Sequence, residues 1–113
     1  MLAKFLGSRV AEYVLLALYH YNEAHAALLA RDSGFALSAV QSRLQRFENA
    51  GLLVSKMAGR TRLYLFNPKS PYTTPVKSLV QVAYETLPLK DREKLFCSRS
   101  RPRRPGKPVV PRP

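Results

Sequence analysis

A chain of 113 residues, 46% of them hydrophobic, can build one modest core and has no room for a separate catalytic domain. Nineteen Lys and Arg against seven Asp and Glu leave a formal net charge of +12, an excess that implies a polyanionic partner, nucleic acid first. A lone cysteine, Cys97, excludes an internal disulfide, and no apolar run approaches the ~20 residues that span a bilayer.

The charge is unevenly placed. Residues 90–113 carry nine basic and two acidic side chains, net +7, and residues 1–89 carry ten and five, net +5. The body is basic without its tail. The opening stretch, Met1 to Gly7, is too short and too weakly charged for a signal peptide, and with the lone cysteine it sets a cytoplasmic expectation.

Taken in chain order, Ser8 caps a first helix whose apolar positions Val10, Val14, Leu18 and Tyr21 recur at helical spacing. Asn22 breaks it and caps the next segment. Residues 24–33 form a short second helix, ended by Gly34. A third helix runs from Ser38 to Ala50, with Val40, Leu44 and Phe47 on its buried face and Gly51 closing it. Two short helices joined around a Gly make the helix-turn-helix pattern. Ala30 supplies the small residue where the two helices meet, and Phe35 the apolar residue after the turn.

From Leu52 to Phe66 the period changes. The runs LLVSKM and TRLYLF flank Ala58-Gly59-Arg60, a three-residue connection suited to a β-hairpin. Its tip presents Lys56, Arg60 and Arg62. Asn67-Pro68-Lys69-Ser70-Pro71 is a loop, because two prolines so close interrupt helix and central strand alike. A fourth helix runs from about Thr74 to Leu87, with the apolar stripe Val76, Leu79, Val80, Ala83 and Leu87. A helical stub from Leu89 to Phe96 is within reach of the pattern. The remainder, rich in Pro and Arg, reads as a disordered basic tail that adds non-specific affinity for DNA. The domain boundary is expected between a folded unit, 1–88, and a tail, 89–113.

Ala50-Gly51-Leu52-Leu53 after an amphipathic helix resembles the "EAGLV" ending of recognition helices in ArsR- and MarR-like winged-helix regulators. Leu6-Gly7-Ser8-Arg9 resembles the "FGSR" opening of an ArsR-like subgroup, and Asn67 to Pro71 its "NPxxP" step after the wing. The resemblance covers roughly residues 5–87. It implies an α+β winged helix-turn-helix with a three-helix core, a hairpin wing and a C-terminal helix, commonly dimeric and gripping duplex DNA. The chain departs from the family in two places: Ala36 stands where a Ser or Thr cap is usual, and the third helix is poorer in Arg.

The function expected is sequence-specific binding of double-stranded DNA for transcription regulation. The third helix would offer Ser38, Gln41, Ser42, Gln45 and Arg46 to the major groove, since Gln matches adenine, Arg matches guanine and Ser either a base or a phosphate. Arg43 at the margin, Lys56, Arg60 and Arg62 would meet the backbone or minor groove. Val76, Leu79, Val80, Ala83 and Leu87, with helix one, are the expected homodimer surface. The alternative is a winged-helix interaction module, the partner or antitoxin of a separately encoded enzyme. A third reading, base stacking on single strands, would need Tyr13, Tyr19, Tyr21, Tyr64 and Phe66 exposed; core packing or an interface is the expected fate of those rings. No catalytic set, phosphate-binding loop or cofactor motif is present, and His20, His25 and Cys97 are too few and too scattered for a soft-metal site.

Overall fold

In the computed structural model, which describes residues 2–96, the central element is α2 (Arg9–Tyr21). Around it lie α1 (Leu2–Leu6), α3 (Ala26–Ser33), α4 (Leu37–Asn49), α5 (Thr73–Glu85) and α6 (Leu89–Leu95). The three strands β1 (Glu23–Ala24), β2 (Leu53–Ala58) and β3 (Thr61–Phe66) form one antiparallel sheet in the order β1-β3-β2. The class is α+β. No helix among the described residues is long and apolar enough to cross a membrane.

Ser8 starts α2 as expected: its extended backbone leaves Oγ free to accept the Ala11 N–H at 3.0 Å. The helix buries Ala11 and every residue from Tyr13 to Leu18, more than one stripe, because other elements pack around it. Asn22 closes α2 rather than opening the next helix. It sits at φ +72, and its N–H returns to the Leu18 carbonyl. Two residues of strand follow, and His25 caps α3 by accepting the Leu28 N–H on Nδ1 at 3.0 Å.

Gly34 ends α3 at φ +81, the left-handed conformation that L-residues adopt only at a cost. The chain turns through residues 34–36 into α4, which begins one residue before the sequence expectation. Ala36 gives α4 no side-chain cap. Val40 and Leu44 are fully buried and Phe47 is half-buried, so the apolar face of α4 packs against the core.

The hairpin closes at the Ala58–Thr61 pair, so its turn is two residues, Gly59 and Arg60, not the expected three. Gly59, at φ +65, occupies the first turn position, where a type II′ turn demands positive φ. Strand alternation puts Leu53, Tyr64, Phe66 and Ala24 on the core side, all buried. At the hairpin base Asn67 donates from Nδ2 to the Gly51 carbonyl at 2.9 Å and from its backbone to Leu52, while Thr73 Oγ1 donates to the Asn67 carbonyl at 2.5 Å. This Asn ties the end of the hairpin to the start of α5.

Two expectations change. The folded unit does not stop at 88: α6 carries Phe96 back into the core, 1% exposed and stacked on His20 at 4.5 Å between centroids. The apolar stripe of α5 is also mostly internal. Val80 is buried, Val76, Ala83 and Leu87 pack against the core, and of the five only Leu79 stays exposed. The tail from Cys97 onward lies outside the described residues.

Candidate nucleic-acid interface

With Val40 and Leu44 inward, α4 turns Ser38, Gln41, Ser42, Gln45 and Arg46 to solvent, and Arg43 is half-buried at the margin. The five side chains expected to face a groove therefore share one surface. Leu37 and Asn49, not singled out from sequence, are exposed there too. Asn49 Oδ1 accepts from Gln45 Nε2 at 3.2 Å, the i, i+4 pairing of adjacent helical turns.

The hairpin is joined to α4 by a side-chain relay. Ser55 Oγ donates to Glu48 Oε2 at 2.7 Å and accepts from the Arg62 guanidinium at 2.8 Å. Glu48 lies in the last turns of α4, so its carboxylate ties that helix to the strands. Tyr64, beside Ser55 in the register, feels the same group. Burial first, and then the Glu48 carboxylate, raise its phenol above the usual value, while the Arg62 guanidinium pulls it down.

The three basic residues expected at the tip do not act together. Arg62 lies on the α4 side of the sheet, bonded within the relay. Arg60 is exposed in the turn itself. Lys56 is on the opposite face, where its Nζ pairs with Glu23 Oε1 at 2.9 Å across the sheet. The strand β1 supplies that partner, and a two-residue strand carries no periodicity from which to foresee it.

The aromatic rings weighed for base stacking pack inward. Tyr13, Tyr64 and Phe66 are buried, and Tyr19 and Tyr21 are half-buried. Tyr21 OH is hydrogen-bonded to Asp32 Oδ2, and Tyr19 meets Tyr84 at 5.1 Å between centroids. His20 Nδ1 is 2.7 Å from Tyr84 OH, and His25 Nδ1 is engaged in the cap of α3. Among the described residues no group of three or more His, Cys, Asp or Glu side chains is placed to hold a metal ion. A cleft of about 360 Å³ opens between the end of α2 and α5, lined by Tyr19, His20, Asn22, Lys77 and Tyr84.

No protein-family model, curated protein or solved structure matches the chain.

Proposed function

We propose that the chain is a winged helix-turn-helix protein that binds duplex DNA as a sequence-specific regulator of transcription, a binding protein and not an enzyme. In this reading α3 and α4 are the helix-turn-helix, α4 enters the major groove, and the β2–β3 hairpin is a wing on the backbone or minor groove. One observation carries it. The polar face of α4 is exposed, and the Glu48–Ser55–Arg62 relay holds it to a hairpin bearing a guanidinium on the same side and Arg60 at its tip. A major groove about 12 Å wide admits one helix, and a basic hairpin beside it meets the flanking phosphates. The net charge of +12 supports the same partner.

Two copies would read two half-sites. Since most of the apolar stripe of α5 packs within the chain, the pairing surface falls to Leu79 and its neighbour one turn on, Val82, 47% and 61% exposed.

The reading is tested by selection from a pool of random duplexes, at low and at near-physiological salt, with the wild type and with Gln41→Ala/Gln45→Ala/Arg46→Ala. The wild type should enrich a motif that the triple variant loses, while both keep a salt-sensitive background. If neither enriches a motif and one protein co-purifies at high salt, the fold is serving as a protein-interaction module instead.

A further inference from the structure

We infer that α4 is built to read A·T pairs, with Leu37 against a thymine methyl and Gln41 and Gln45 against adenines. The inference rests on the duplex-binding reading and names the class of sequence that the same surface recognises.

Leu37, Gln41, Gln45 and Asn49 are spaced at i, i+4, i+8 and i+12. They therefore form one ridge along α4, with successive members a little more than one turn apart, about 6 Å along the axis. All four are exposed. Leu37 is the first residue of α4 and 45% exposed, an apolar side chain at the end of the helix that would lead into a groove. An exposed leucine alone needs no explanation. This one continues a line of three amides, and the major groove has one apolar group to offer it, the C5 methyl of thymine. Cytosine has only hydrogen at that carbon.

The amides complete the discrimination. Gln45 Nε2 donates to Asn49 Oδ1 at 3.2 Å. It leaves Oε1 and the second N–H free. Adenine presents an acceptor, N7, beside a donor, the N6 amino group, and one amide satisfies both. Guanine presents two acceptors, N7 and O6, and would leave the amide oxygen facing an oxygen. The side chain suited to guanine is Arg, and in a chain with nineteen Lys and Arg this ridge carries none. The guanidinium groups of α4 lie on the neighbouring ridges, Arg46 in line with Ser38 and Ser42, and Arg43 beyond it, half-buried. That arrangement lines up amides and one apolar group on a single exposed ridge, with Arg46 on the ridge beside it.

The test uses the full chain and the motif it selects from random duplexes. The motif should be rich in A·T. Replacing one thymine by deoxyuridine, which deletes only the methyl, should weaken wild-type binding about fourfold, the worth of burying one such group. Leu37→Ala should bind the thymine and deoxyuridine duplexes equally and still prefer adenine at its other positions. Gln41→Ala and Gln45→Ala should each relax one adenine, and Asn49→Ala, which only frees the Gln45 amide, should weaken that preference without touching the thymine effect. A selected motif centred on G·C and lost with Arg46→Ala would overturn the inference and leave duplex reading intact, as would a motif indifferent to deoxyuridine. No selected motif from the wild type would remove both.

Discussion

Ser55 on the hairpin donates its hydroxyl to the carboxylate of Glu48 on α4 at 2.7 Å, and the same oxygen accepts from Arg62. One small side chain thus joins a helix to a strand pair and orients a guanidinium. Ser55→Ala should lower stability by about 1 kcal/mol, the usual net worth of a partly buried hydrogen bond, through a lower urea midpoint at unchanged slope. It should also weaken duplex binding more than its stability loss accounts for, since Arg62 loses its anchor. A variant as tight as wild type would mean that the relay only braces the fold.

His25 links folding to pH. Its Nδ1 accepts the Leu28 N–H only when unprotonated, and its pKa is lowered from 6.5, by burial first and by nearby Arg31 second. The unfolded chain takes the proton at the ordinary value and the folded chain only at lower pH. Its contribution to stability is therefore complete above pH 6.5 and lost as pH falls through that value and on through the folded-state pKa. Urea midpoints should drop between pH 8 and pH 5 in the wild type. His25→Asn keeps a cap and removes the titration, so its drop should be smaller. Identical pH profiles for the two proteins would show that the cap is not the titrating element.

Phe96 is the last described residue and is 1% exposed, packed among His20, Tyr13, Tyr21 and Tyr84. Phe96→Ala removes a large buried ring and should cost roughly 3–5 kcal/mol, read as a fall in urea midpoint. Ending the chain after residue 88 should cost at least as much. If the shortened chain were as stable as the full one, α6 would be an ornament on a core complete without it.

Lys56 and Arg60 are close in sequence and should behave differently on DNA. Lys56 faces away from α4 in an exposed pair with Glu23, while Arg60 is in the hairpin turn. Arg60→Ala should reduce the slope of log affinity against log salt by about 1, and Lys56→Ala should leave it nearly unchanged. Stability should change little with Lys56→Ala, since exposed pairs are worth about 0–1 kcal/mol. Equal slope changes for the two would mean that Lys56 meets a phosphate as well as Arg60.

Local pattern determined much of this protein. Ser8 followed by apolar residues at helical spacing marks α2, Gly34 and Gly51 bracket α4, and Gly59 sits where the hairpin turns, because each signal acts within a few residues of itself. The exposed face of α4 was legible for the same reason: once Val40 and Leu44 point inward, helical geometry leaves Ser38, Gln41 and Gln45 outside. Tertiary structure decided the rest. The strand β1 is two residues long and is a strand only because the edge of β3 pairs with it. That pairing brings Glu23 to Lys56, on the face of the sheet away from Arg62. Phe96 belongs to the core because α2 offers it a bed of rings, with Tyr13 OH donating to Leu95 O across 82 positions of sequence. The stripe of α5, expected from sequence to be a homodimer surface, is mostly internal because α5 packs against α2. A hydrophobic pattern states that a face will be covered; which part of the chain covers it depends on contacts distant in sequence.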